Sequence, residues 1–264
     1  MKKLIVLLII PICFVNCGDD ETIDPGPAPS IPPLSGFLMD FEVANPNAGG
    51  RTLPKTNWTI AALNVTFWNA IITGNLIVPV ASFTNALNKT PSFDASTQSW
   101  IWEYTFDVQE FEHHARLVAK VNTSEIQWEM FISQLGIYED FSWYTGTSNL
   151  TATAGTWRLN KDPNNPQPYI DIEWNRSVDG TSGDIRYTNV LPGDVSNGSY
   201  IYQQATNGSD HNRFYEIFYK NENRTVVIEW HSENINGRIR DEKNFGDNEF
   251  RCWDDTREDI DCPS

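Results

Sequence analysis

The chain predicts a mainly β protein: a large antiparallel meander forming a barrel or strongly curved sheet, with an N-terminal helical segment packed on it. Three observations carry this. From Trp100 onward, apolar and polar residues alternate with period two. Turn-forming clusters such as Asn122-Thr123-Ser124, Asp179-Gly180 and Asn197-Gly198 divide that region into short runs. One stretch alone, about residues 57–87, repeats its apolar residues every three or four positions instead.

The chain opens with Met1-Lys2-Lys3 and an apolar run from Leu4 to Ile12 broken only by Pro11. That run is far short of the roughly 20 residues needed to cross a bilayer and has the length of a signal-peptide core. Residues 1–16 are therefore set aside from fold reasoning, and Cys17 closes the leader. This arrangement resembles the lipobox of bacterial lipoproteins, in which the cysteine is acylated and becomes the new N-terminus. Asn16 and Phe14 stand where that family carries a small residue and a leucine. Gly18, Asp19, Asp20 and Glu21 resemble the acidic export signal of surface-exposed lipoproteins of the Bacteroidota type. The resemblance implies a protein held to the outer membrane through acyl chains such as palmitate on Cys17, facing the cell exterior.

Residues 17–35 read as an acidic and then Pro-rich tether. Its segment from Thr22 to Ser35 is extended and semi-rigid by composition. Residues 36–264 read as one β-rich domain, and Phe37 to Phe41 as a first strand or an ordered lead-in. Loss of the leader removes Lys2 and Lys3 from 19 basic residues set against 35 acidic ones, so the remaining charge is −18. So negative a body excludes nucleic acid as a partner and disfavours docking on anionic lipid headgroups. Membrane attachment would rest on the acyl chains instead.

Cys13 leaves with the leader and Cys17 is the acyl acceptor. Cys252 and Cys262 remain, and two cysteines in an exported chain pair. Closing that short C-terminal loop contributes about 2–3 kcal/mol. Asp254, Asp255, Asp259 and Asp261 offer oxygen ligands within it, but their spacing fits no calcium loop. His113, His114, His211 and His231 lack zinc-ligand spacing. Neither a metal nor a cofactor is expected.

In the helical segment, Ala61, Val65, Trp68 and Ile72 form an apolar stripe widened by Ala62 and Ile71. Asn57 is the expected N-cap and Gly74 the expected stop. A second short helix is expected from Pro79 to Leu87, with Val80, Phe83 and Leu87 on one face. Eleven strands follow: Trp100–Val108, Ala115–Val121, Ile126–Ile132, Phe141–Tyr144, Thr156–Leu159, Tyr169–Trp174, Asp184–Val190, Ser199–Gln203, Phe214–Tyr219, Val226–Trp230 and Gly237–Arg240. Such a meander closes into a barrel or curls round something that covers one face. In outline it is similar to the lipocalin-like and LolA-like folds, which hold apolar ligands, although it carries no motif of either.

Glu103, Glu129, Glu173 and Glu229 each sit beside a tryptophan. Tryptophans with carboxylates suit a sugar-cleaving site. Neighbouring residues in a strand point to opposite faces, however, so the expectation is a tryptophan inner face and a solvated acidic outer face. No nucleotide-binding, nucleophile-elbow or Ser/Cys–His arrangement is present.

The expected function is therefore a non-enzymatic binding or accessory lipoprotein for an apolar or amphipathic ligand. Trp100, Trp102, Tyr104, Trp128, Trp174 and Trp230 are expected to face that ligand. The alternatives are glycan binding or glycoside hydrolysis, and a structural or assembly partner. Labelled palmitate is expected on the wild-type chain and not on Cys17→Ala; label that persists in the variant removes the lipoprotein reading.

Overall fold

Among the described residues, fourteen antiparallel strands follow one another as a single meander, each paired with its neighbours in sequence. The computed structural model describes residues 25–38, 56–206 and 210–263. Cys17, the export signal at residues 18–21, and Met39 to Phe41 lie outside the described residues. The strands are β1 (Ser92–Asp94), β2 (Ser99–Val108), β3 (Phe111–Val121), β4 (Glu125–Gln134), β5 (Tyr138–Asn149), β6 (Ala154–Asp162) and β7 (Asn165–Arg176). They continue with β8 (Gly183–Asn189), β9 (Tyr200–Ala205), β10 (Arg213–Tyr219), β11 (Arg224–Trp230), β12 (Gly237–Arg240), β13 (Arg251–Trp253) and β14 (Asp259–Ile260). The eleven expected strands are β2 to β12. The other three are two or three residues long, too short for a period to show.

The sheet does not close on itself: β1 and β14 are its two margins. It is a strongly curved sheet, and helix α1 (Thr56–Ala86) holds the margins together. α1 packs on β2 at one side and on β12, β13 and β14 at the other.

α1 corrects the expectation of two helices. It runs unbroken through Gly74 and carries Pro79 inside it. An interior glycine costs about 1 kcal/mol and an interior proline about 3 kcal/mol. The stripe that begins at Trp58, Ala61, Val65, Trp68 and Ile72 continues through Leu76, Phe83 and Ala86, all buried. Burying a large apolar side chain contributes about 1.5–3 kcal/mol, so the continued stripe offsets both breakers. Asn57 is not the cap either. It lies buried in the first turn, where its backbone N–H donates to Asp259 Oδ1 at 3.0 Å and its side chain to the Cys252 carbonyl at 3.0 Å. A carboxylate from β14 thus serves the helix N-terminus, the sign its dipole favours.

The lead-in residues supply the hub of the core. A single 3-10 turn, Leu34–Gly36, delivers Phe37, which forms no strand. The Phe37 ring lies 4.8 Å from Phe83 of α1, 4.9 Å from Tyr144 and 5.7 Å from Trp157. Trp157 Nε1 donates to the Gly36 carbonyl at 2.9 Å, and the Tyr187 hydroxyl to the Phe37 carbonyl at 3.3 Å. Gly146 matters for the same packing. It faces inward on β5, and a Cβ there would sit 2.3 Å from both the Thr156 carbonyl and the Trp157 ring.

At the far margin, Cys252 and Cys262 are bonded, with Cα atoms 5.1 Å apart. A short helix α2 (Glu242–Phe245) follows Asp241, which is fully buried and held by Arg224 and Asn244.

Antiparallel order places alternate turns on opposite rims. Turns 95–98, 122–124, 150–153, 177–182, 231–236 and 254–258 make one rim. Turns 109–110, 135–137, 163–164, 190–199, 220–223 and 241–250 make the other. The lead-in enters at the first rim, where Ser35 lines one recess with Asn175 and residues 180–183.

Gly146→Ala is expected to lower stability by about 1–3 kcal/mol through overpacking against Trp157. Gly74→Ala, with nothing within 4 Å of its added Cβ, is expected to raise stability by up to about 1 kcal/mol. Urea midpoints of the two variants check both signs.

Candidate functional site

Strand alternation sends the tryptophans inward and the glutamates outward, as expected. Trp102, Trp128, Trp174 and Trp230 are buried, whereas Glu103 and Glu173 are exposed and Glu129 and Glu229 half-buried. The four carboxylates are scattered over the outer face, and three have their own partners. Glu103 meets His114 at 3.1 Å, Glu129 accepts from Ser142 at 2.9 Å, and Glu229 is paired with Arg238 at 2.6 Å.

The aromatics expected to face a ligand face the protein itself. Tyr104 donates to the Ser82 carbonyl of α1 at 2.6 Å. Trp102 packs on Trp128 at 5.9 Å, and Trp174 lies under Gly36 of the lead-in. Trp230 is buried in the same core, and Trp100 is half-buried against Phe93 at 5.3 Å. The physical reason is that the concavity of the sheet is filled by α1 and by Phe37, so the rings pack instead of lining a void.

Two recesses flank this core. The first, about 260 Å³, opens at the rim opposite the lead-in, between α1 and the ends of β7 and β8. Phe67, Ile71 and Ile72 of α1 form one wall, with Tyr169, Ile170 and Leu191 opposite. Its rim is polar. Lys161 has no ion-pair partner among the described residues, and Asp194 is engaged by the Ser196 N–H at 2.6 Å. Burial, and then Asp194, push the Tyr169 hydroxyl above its ordinary pKa, so it stays a neutral donor. An apolar pocket with Lys161, unpaired among the described residues, at its lip suits an amphipathic molecule.

The second recess, about 670 Å³, lies on the outer face of β3 to β7. Its side chains are polar: Lys120, Gln127, Thr145, Thr147, Thr156 and Arg158 among them, with Glu129 and Glu173 at opposite sides. Arg158 grips both oxygens of Asp171 at 2.7 Å. β4 and β7 are three strand spacings apart, and Glu129 is in register with Asp171 and not with Glu173, so the backbones of Glu129 and Glu173 stand more than about 14 Å from each other.

α1 also shows an uncovered face. Leu63, Phe67 and Ile77 are 55%, 56% and 45% exposed. No residue of α1 carries a charge, and it is long and apolar enough to cross a membrane by length and composition alone. The sequence held that signal in its uncharged run from Thr56 to Ala86, which the helical period alone did not reveal.

The C-terminal acids act as local caps. Asp254 Oδ1 accepts from the N–H groups of Thr256 and Glu258, each at 2.9 Å, and Asp259 serves Asn57. Among the described residues, no group of three or more His, Cys, Asp or Glu side chains is placed to hold a metal ion. His113 and His114 diverge as adjacent strand residues do, the first buried on Phe106 and the second on the surface. The chain matches no protein family, no curated protein and no solved structure.

The two faces of α1 differ in consequence. Phe83→Ala is expected to cost about 3–5 kcal/mol by opening a cavity beside Phe37. Leu63→Ser and Ile77→Ser should stay within about 0.5 kcal/mol, as surface changes do. Thermal or urea unfolding of the three variants measures the contrast.

Proposed function

We propose that the protein is an outer-membrane-anchored surface lipoprotein that binds an apolar or amphipathic ligand without chemical turnover. The observation that supports this most is the recess between α1 and the ends of β7 and β8. Its wall is apolar, its lip carries Lys161, and it opens at the rim away from the lead-in. The ligand's apolar part would lie on Phe67, Ile71 and Leu191, and an anionic or polar head would meet Lys161. The sequence features at Cys17 and residues 18–21 supply the anchor and the address in this reading.

A structural or assembly role is the second reading, favoured by the exposed Leu63, Phe67 and Ile77 on α1. The two readings separate by residue. Ile71 lines the recess and is only half-exposed, whereas Leu63 and Ile77 do not line it.

Native mass spectrometry of the mature chain, purified from its host, is expected to show a co-purifying amphipathic molecule. Ile71→Glu should lose it, and Leu63→Ser should keep it. An empty wild-type protein, or a ligand retained by Ile71→Glu, overturns the binding reading. Loss of a protein partner from Leu63→Ser with the recess unoccupied favours the assembly reading.

A further inference from the structure

At the rim where the lead-in enters, four residues form one cross-strand row: Arg176 of β7, Gly183 of β8, Ala205 of β9 and Arg213 of β10. The row lies on the inward-facing side, two positions beyond buried Trp174, Ile185, Gln203 and Tyr215. The two middle positions carry no side chain beyond a methyl. They leave a notch of about 230 Å³ between two arginines.

The side chains around that notch are hydrogen-bond donors or amides. Ser35 comes from the lead-in, Ser182 from the turn after β7, and Gln203, whose Nε2 donates to Tyr215, from β9. Among the described residues no carboxylate lines it, in a chain with 35 acidic residues and 19 basic ones. The nearby acids are engaged elsewhere: Asp179 accepts from Ser177 and Thr181, and Asp184 from Asn175. Arg176 Nε is buried and has no hydrogen-bond partner. An unmet buried donor costs about 1–3 kcal/mol, more for a charged group, and native proteins seldom leave one unexplained.

We infer that this notch is a binding site for a tetrahedral oxyanion, a phosphate or sulfate ester group, with Arg176 as its principal contact. A guanidinium presents parallel N–H donors that match the oxygens of such a group. Donors reach the notch from Ser35 of the lead-in, Arg176 of β7 and Ser182 of the turn after it, which suits three free oxygens better than the two of a carboxylate. The group could be carried by a soluble phosphomonoester or by a lipid headgroup, since the lead-in that continues from the tether passes the same rim. This site is separate from the apolar recess at the opposite rim, and neither reading depends on the other.

The probes are inorganic phosphate and glycerol 3-phosphate by titration calorimetry, and vesicles of phosphatidylcholine with or without phosphatidic acid by flotation. The Cys17→Ala chain is used throughout, so that acyl chains do not contribute. Saturable binding is expected, weakened about tenfold or more in Arg176→Gln, the size expected for loss of a charge-assisted contact. Arg158→Ala on the outer face should leave it unchanged. Flotation only with phosphatidic acid identifies a headgroup, and binding of glycerol 3-phosphate without flotation identifies a soluble ester. Should Arg176→Gln fail to fold, protection of Arg176 from phenylglyoxal by phosphate in the otherwise unaltered chain gives the answer by mass spectrometry. No saturable binding of any probe, undiminished binding in a folded Arg176→Gln, or no protection of Arg176 overturns the inference.

Discussion

An open sheet of fourteen strands has two unpaired margins and one large apolar face, and a single helix deals with all three. α1 reaches the early side of the sheet at β2, next to the β1 margin, through Ser82 and Tyr104, and the late margin through Asn57, Cys252 and Asp259. Those contacts tie residues about 20 apart at one side and about 200 apart at the other. Everything inside follows from them. The inner tryptophans are core because a helix stands opposite them. The glycines at 36 and 146 are needed where an indole lies flat on a neighbouring backbone. The disulfide fixes the pair of strands that receives the helix N-terminus.

Much of this was legible in the residues. Period two from Trp100 onward placed β2 to β12 and sorted Trp from Glu correctly, because alternation depends only on chain geometry. The cysteine pair was also legible. The helix boundaries were not. Asn57, Gly74 and Pro79 are local signals, and the burial of Leu76, Phe83 and Ala86 against distant strands outweighed them. The filled interior escaped for a related reason: alternation says which side chains turn inward but not what meets them there. The row from Arg176 to Arg213 was invisible because it needs the register of four strands, and two of its members are conspicuous only by being small.

The molecule divides its chemistry between its rims. The rim that receives the lead-in holds two arginines and several hydroxyls. The opposite rim holds the apolar walls between α1 and β7, with Lys161 at the lip. The outer face carries mostly self-satisfied charges such as Arg158 with Asp171 and Arg238 with Glu229, pairs worth about 1 kcal/mol or less at a surface. Recognition in such a molecule belongs at its ends, where turns can differ without disturbing the ladder.

The uncharged run of α1 has a temporal consequence. Among the described residues it precedes every strand, while β12 to β14, which cover its first turns, come last. Contacts between such remote segments form slowly, because a long loop must close first. Throughout that interval the chain carries 31 consecutive residues with no charge to keep them apart from other apolar surfaces. The fold thus makes its most adhesive segment earliest and shields it latest, so self-association competes with folding until β12 to β14 are in place.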